Sequence, residues 1–446
     1  MTSPTAPIRR VLVISNDEIG ESMAGPAIRA YELSRQVARH HHTLLKTPSR
    51  LLELTPEGYK ELTPRSLRKC LVGVDVVMAN TISARLVAAA TISRCRVIVD
   101  AYCPVLFEAF EADRRLQPIL RRSSTAVRLA QLRLAARAGD GYVCANERQR
   151  DLLIGNLAMA GRVGVARYDR DPTLRSLVAT TPFGLPESAP KRTDSGLREA
   201  YGLSDDDFVV VWGGGIWDWF DPLTLVHAIS TLAEHRSDVK LVFLGVTHPR
   251  PGFPQHRKAQ ETIELARELG VLDKYVFINK GWIPYVQRAN YLLDGNLGVS
   301  ANHVHLESRY AFRTRVLDYL WCELPIVCTA GDAIADLVDR ENLGVTVQAE
   351  NVEDLVHAIE RLADDEELRE SIRANLRRVK TSYTWEKVAV PLLRLIDAVA
   401  TQPSVTGFVR LRRMLAAGRY ATTRISANVI VVRVLADHLW RRRELT

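Results

Sequence analysis

An α/β fold of two doubly wound domains is predicted by three observations. Short apolar strands alternate with helical stretches along the chain. That alternation begins twice, at Arg9 and again at Phe208. Between the two series lies Thr181-Pro182-Phe183-Gly184-Leu185-Pro186 and a polar run to Ser195, a composition suited to a hinge. At 446 residues the chain exceeds what one core usually supports. We therefore expect domains over residues 1–183 and 184–400 with a cleft between them, the last helix returning to the N-terminal domain. Residues 401–446 read as a basic amphipathic tail.

In the first series, Arg9–Ser15 reads as a buried parallel strand and Asn16–Gly25 as a glycine-bearing loop. Pro26 then opens a helix at the first-turn position it favours, and His40-His41-His42 is expected to close it. GxGxxG is absent. Strands follow at Val74–Ala79 and Val97–Val99, then an arginine-rich helical region, strand Tyr142–Ala145 and a helix from Asn146. In the second series, strand Phe208–Trp212 leads into Gly213-Gly214-Gly215 and a helix opened by Pro222. Strand Lys240–Leu244, a loop with His248 and Arg250, and a helix over Lys258–Leu269 come next. They are followed by strand Tyr275–Ile278, Gly281-Trp282, helix Tyr285–Leu293, strand Leu297–Val299 and strand Ile326–Cys328. Ligands of doubly wound sheets gather at the carboxyl ends of strands, where both glycine turns and Arg313 fall.

Residues 307–325 read ESRYAFRTRVLDYLWCELP. Arg313 and Arg315 suit a phosphate group, because guanidinium forks make paired charge-assisted bonds. Asp318 suits a sugar diol, and a helix starting near Phe312 adds its free N–H groups. The plain alternative is a buried helix with an Arg315–Asp318 surface pair. His303 and His305 read as ordinary polar loop residues.

Six scattered cysteines form no CxxC pair, so neither zinc nor a disulfide framework is expected, and a reducing cytoplasm is. No signal core or apolar run of membrane-spanning length is evident. The net charge of +8 is concentrated. Residues 404–446 hold nine arginines against Asp437 and Glu444, and Arg114–Arg137 holds seven arginines and no acid. Such patches meet polyanions. No nucleic-acid-binding signature accompanies them. The run NVIVVRVLADHLW (428–440) suits an interfacial anchor on an anionic membrane surface instead.

Three stretches carry a family resemblance: Gly-Pro-Ala-Ile-Arg-Ala-Tyr-Glu-Leu (25–33), Pro-Phe-Gly-Leu-Pro (182–186) and Phe312–Val327. Together they resemble a GT-B fold glycosyltransferase of the family 4 type, over roughly residues 10 to 400. The resemblance implies two Rossmann-like domains facing a cleft. It also implies a nucleotide diphosphate-sugar donor on the second domain, an acceptor on the first, retention of configuration, and neither metal nor cofactor.

That family carries two acids eight positions apart. The resemblance places Asp318 on the second, which binds the donor ribose, and Phe312 on the phenylalanine between them. Tyr310 stands where the first glutamate is expected, so Glu307, three residues earlier, and Asp100 join it as candidates near the transferred sugar. The family's diphosphate-binding arginine and lysine fall on Gly215 and Phe220, and Arg313 and Arg315 are expected to replace them. Gly25, Arg29, Gly214, Gly215, Trp217, Trp282 and Thr314 complete the expected donor site.

The expected function is sugar transfer to a glycan or lipid-linked acceptor in surface polysaccharide or glycolipid synthesis. The expected place is the cytoplasm, peripheral to the inner face of the plasma membrane. A catalytically impaired nucleotide-sugar-binding protein and a sugar-nucleotide epimerase are the alternatives.

Overall fold

A computed structural model describes residues 7–247, 256–402 and 407–443, with side chains through residue 432. His248, Arg250 and parts of the tail lie outside the described residues. The chain divides into two compact units. One comprises Met1–Asn16, Leu33–Thr181 and Val390–Thr446; the other comprises Asp17–Glu32 and Pro182–Ala389.

Among the described residues the first unit holds eight strands: β1 (Arg10–Ile14), β2 (His42–Lys46), β3 (Leu51–Leu54), β4 (Tyr59–Leu62), β5 (Val76–Ala79), β6 (Arg96–Asp100), β7 (Gly141–Cys144) and β8 (Val178–Thr180). Their order is β4-β3-β2-β1-β5-β6-β7-β8. The sheet is parallel from β2 through β8, and β3 and β4 add an antiparallel meander. Strands β5, β6 and β7 are buried on both faces, which is why they read as unbroken apolar runs.

The histidine triplet does not close the first helix. That helix, Gly25–Ala38, ends earlier, and His42 starts β2. In β2 Thr43 and Leu45 face the core while His42 is exposed, so the segment follows a two-residue period.

The helix Gly407–Arg443 is packed against Pro118–Ala138 and Ala84–Ile92. Arg413, wholly buried, donates to the carbonyls of Ala138 and Cys95 and pairs with Asp140, which also meets Arg96 at 3.5 Å. A buried cation needs such partners, and these tie the helix to the amino ends of β6 and β7.

The described residues of the second unit form a six-stranded parallel sheet of β9 (Phe208–Trp212), β10 (Val239–Phe243), β11 (Val276–Ile278), β12 (Leu297–Ser300), β13 (Ile326–Thr329) and β14 (Gly344–Val347). Its order is β11-β10-β9-β12-β13-β14. Strand order therefore reverses between β9 and β12, and the carboxyl ends of those two strands are where such a sheet opens a ligand crevice.

Tyr319 pins that point. It is fully buried, its hydroxyl accepts from the Gly213 N–H at 2.7 Å, and it lies 2.8 Å and 3.0 Å from the carbonyls of Val299 and Val211. Its ring lies against Gly298, where an added Cβ would come within 2.3 Å. Gly298→Ala is therefore expected to destabilise the protein by about 1–3 kcal/mol through overpacking. A urea midpoint that falls at unchanged slope would report it.

Candidate functional site

With the exception of Asp100, every residue expected at the site falls in the second unit. The segment Asp17–Glu32, which carries Gly25 and Arg29, belongs with it. Asp100 is buried at the last position of β6 in the first unit.

After β9 the chain turns through Gly213–Gly215. Gly214 has a φ of 72°, a conformation that costs a side-chain-bearing residue about 1 kcal/mol. After β12 come the short helix Leu306–Tyr310 and the helix Thr314–Trp321. The second starts two residues later than Phe312, and no side chain caps its first turn. Backbone N–H groups and the positive end of the helix dipole are thus presented at the sheet's reversal point.

The two arginines beside this helix start differ in their surroundings. Arg313 makes a two-pronged bond to Glu307 at 3.0 Å and 2.8 Å, and its Nε lies 3.6 Å from Asp332. Both members of the Arg313–Glu307 pair are almost wholly buried. Glu307 therefore holds Arg313 and does not stand as a loop acid.

Arg315 has no carboxylate partner among the described residues. It donates to the Gly215 carbonyl at 2.8 Å and lies over Trp212 and Phe220, 4.1 Å and 4.3 Å from the ring centroids. Its Nη1 is buried without an acceptor. Burial pushes its guanidinium down to about 9, and the nearby Arg313 cation acts in the same direction. The group is charged at neutral pH, with no anion beside it among the described residues. Arg313 also lies over Phe220, at 5.0 Å. Both guanidinium groups thus reach Phe220, and Arg315 reaches Gly215, the two positions at which the resembled family carries its cations.

The surface pair Arg315–Asp318 does not form. Asp318 is held by Arg288 Nε at 2.9 Å, and its side chain stays about one-third exposed. Arg288 is itself wedged between Tyr285 and Trp321, 3.8 Å and 4.5 Å from the ring centroids, and donates to the Tyr285 carbonyl at 2.6 Å. Burial opposes its charge, but Asp318 and Tyr285 outweigh that and hold its pKa above the ordinary arginine value.

Around the glycine turn, Trp217 and Trp282 stack at 6.4 Å, and a Cβ on Gly215 would meet both rings at 3.0–3.2 Å. His256 stands edge-on to Trp217 and 3.2 Å from Asp218. Phe312 stacks on Phe183 at 6.0 Å. Arg29, fully buried, donates to the Pro182 carbonyl at 3.2 Å and lies over Phe183. A Cβ on Gly25 would lie 4.0 Å from Thr314 Oγ1, so the first loop meets the helix start. Tyr310, half-buried, ends the short helix.

Arg288 and Tyr319 escaped the sequence reading. Tyr319 adjoins Asp318 inside an apolar helix face, and Arg288 lies in a segment with no motif. Chemically, the arrangement offers a buried uncompensated cation, uncapped N–H groups, a positioned carboxylate and stacked aromatics. These are the complements of a diphosphate, a diol and a flat ring.

Residues 197–379 match the family model described as glycosyl transferases group 1. Among curated proteins, the chain is 26% identical over 247 residues to a D-inositol 3-phosphate glycosyltransferase of Actinosynnema mirum, covering 54% of this chain and 56% of that one. The protein of that description from Jonesia denitrificans is 23% identical over 212 residues, covering 47% of each. The chain thus spans about half the length of the curated relatives it matches. Among solved structures, Anabaena HepE in complex with UDP-glucose matches with a TM-score of 0.61 at 13% identity, over 85% of this chain and 97% of that one. Sucrose-phosphate synthase from Thermosynechococcus elongatus matches at 0.59 and 16% identity, over 86% and 97%.

Proposed function

We propose that this chain is a glycosyltransferase that takes its sugar from a nucleoside diphosphate-sugar bound on the second unit, a reading supported by the match of residues 197–379 to the glycosyl transferases group 1 model and by the likeness to GT-B structures. The carrying observation is Arg315, a buried cation with no counter-charge among the described residues, at the carboxyl end of the reversal point. An unpaired buried charge is costly, and a diphosphate would compensate it.

In this reading Arg315, Arg313 and the uncapped start of Thr314–Trp321 stabilise the charge that grows on the departing diphosphate as the sugar becomes oxocarbenium-like. Glu307 acts by orienting Arg313. Gly214 and Gly215 let the backbone approach the phosphates, and Gly25 from the first loop and Thr314 from the helix start close on them. Asp318, set by Arg288, binds the ribose diol. Trp217 and Trp282 stack on base or sugar. Arg29 and Phe312 hold the hinge residues Pro182 and Phe183 beside the site. Tyr310 borders the transferred sugar on the second unit, and Asp100, at the end of β6, belongs to the acceptor side on the first. A glycan or lipid-linked acceptor binds the first unit, transfer proceeds with retention, and the product serves surface polysaccharide or glycolipid synthesis at an anionic inner membrane face. HepE's complex with UDP-glucose supports a nucleotide-sugar donor. Among the described residues, no helix is long and apolar enough to cross a membrane.

A second reading is favoured by one residue. Tyr310 stands where the resembled family has its first acid, as a binding protein without transfer activity would show. Purified protein incubated with a nucleotide-sugar panel and glycolipid acceptors separates the two. Release of nucleoside diphosphate with glycosylated acceptor supports transfer; saturable binding with no turnover of any pair overturns it.

A further inference from the structure

The helix Gly407–Arg443 is apolar on two opposite sides. Ala416, Tyr420 and Ala427 are buried on the side that also carries Arg413. On the other side Phe408, Leu411, Leu415, Ile425, Val429 and Val432 recur at helical spacing, each more than half exposed. Nothing among the described residues covers this second stripe. It is more apolar than a solvated helix face needs to be.

Beside it, a groove of about 350 Å³ runs between this helix and Pro118–Ala138. Arg133, Arg137 and Arg419 line it with Tyr420 and Thr423, and no acid does. None of the three arginines has a carboxylate partner among the described residues. Arg419 lies one turn from Leu415, so the charged groove adjoins the exposed apolar stripe.

We propose that this groove binds the phosphate of an anionic membrane lipid while the stripe lies in the membrane interface. Three guanidinium groups and two hydroxyl-bearing side chains suit a phosphodiester. The adjoining apolar stripe selects a lipid over a soluble phosphate, because only a lipid supplies an apolar phase to cover it. A second copy of the chain is a poor occupant, since residues 407–436 and 114–137 contain arginines and no acid and would repel their own kind. This assignment deepens the membrane-associated part of the proposed function and rests on it. Donor binding is therefore measured alongside, so that either can fail alone.

The test is co-sedimentation of the full chain with vesicles of phosphatidylglycerol and phosphatidylcholine, against phosphatidylcholine alone. The triple variant Arg133→Ala, Arg137→Ala, Arg419→Ala is expected to lose roughly 100-fold in partitioning to anionic vesicles. The variant Arg65→Ala, Arg68→Ala, Arg170→Ala removes the same charge from exposed positions elsewhere in the first unit and is expected to lose no more than about threefold, the residue of long-range attraction. Both should bind nucleoside diphosphate as the parent does. If the triple variant unfolds, Arg133→Ala and Arg419→Ala alone, both at exposed positions, carry the test at roughly fivefold each. Equal losses in the groove and control variants overturn the proposal. So does inorganic phosphate that displaces the protein from vesicles at matched ionic strength, or self-association abolished by the groove variant.

Discussion

Replacing Arg315 by methionine is expected to weaken nucleoside diphosphate binding by roughly 30-fold to several thousand-fold, while leaving the unliganded protein at least as stable. The loss corresponds to about 2–5 kcal/mol, the range for removing one member of a buried charge pair. The stability arm follows from Arg315 being desolvated and unpaired. Its folded pKa is about 9, below the ordinary arginine value, so folding loosens its proton. The charged form is then penalised by folding at every pH below about 9, neutral pH included. Methionine removes that penalty along with the bond to the Gly215 carbonyl, and fills the space between Trp212 and Phe220. A purely structural arginine predicts the opposite pattern, with lower melting temperature and unchanged ligand affinity. Calorimetric titration beside a melting curve distinguishes them.

The second large effect is expected at Arg288, which touches no proposed substrate group. Its bond to Asp318 fixes one carboxylate oxygen and leaves the side chain partly open to solvent. Arg288→Ala frees Asp318 to rotate, and a hydrogen bond to a charged group contributes about 1.5–3 kcal/mol. We expect the donor KM to rise roughly 10- to 150-fold with a smaller change in kcat, since ribose contacts serve ground and transition states alike. Arg288→Lys keeps the charge but not the planar contact with Tyr285 and Trp321, and should fall between. The diagnostic readout is sugar selectivity. The parent should prefer ribonucleoside over 2′,3′-dideoxynucleoside diphosphates, and Asp318→Ala, alone or with Arg288→Ala, should lose that preference. Additive effects of the two substitutions would mean that Arg288 does not act through Asp318.

Much of the fold was legible because parallel strands buried on both faces leave continuous apolar runs. Phe208–Trp212 is of that kind, and the prolines at 26 and 222 mark helix starts. The meander β3–β4 was not legible, since β4 is mostly exposed and reads as polar loop. The segment Asp17–Glu32 clusters with the second unit through long-range contacts that no local pattern encodes.

At the site, the sequence pointed to the right stretch but not to its pairing. Arg313 and Arg315 stand two residues apart with similar neighbours. Only packing shows that Glu307 neutralises the first while the second faces Trp212 and Phe220. The plain alternative paired Asp318 with Arg315, three residues away; Asp318 is held instead by Arg288, thirty residues upstream.

A nucleoside diphosphate-sugar seated at the carboxyl ends of β9 and β12 is the central proposal. Thermal melting of the parent and Arg315→Met against a panel of nucleoside diphosphate-sugars tests it most directly, because a ligand that binds only the folded state raises its melting temperature. At least one member is expected to raise the parent's melting temperature in a saturable way and to raise that of Arg315→Met much less at the same concentration. A panel that shifts neither protein, or shifts both equally, would contradict it.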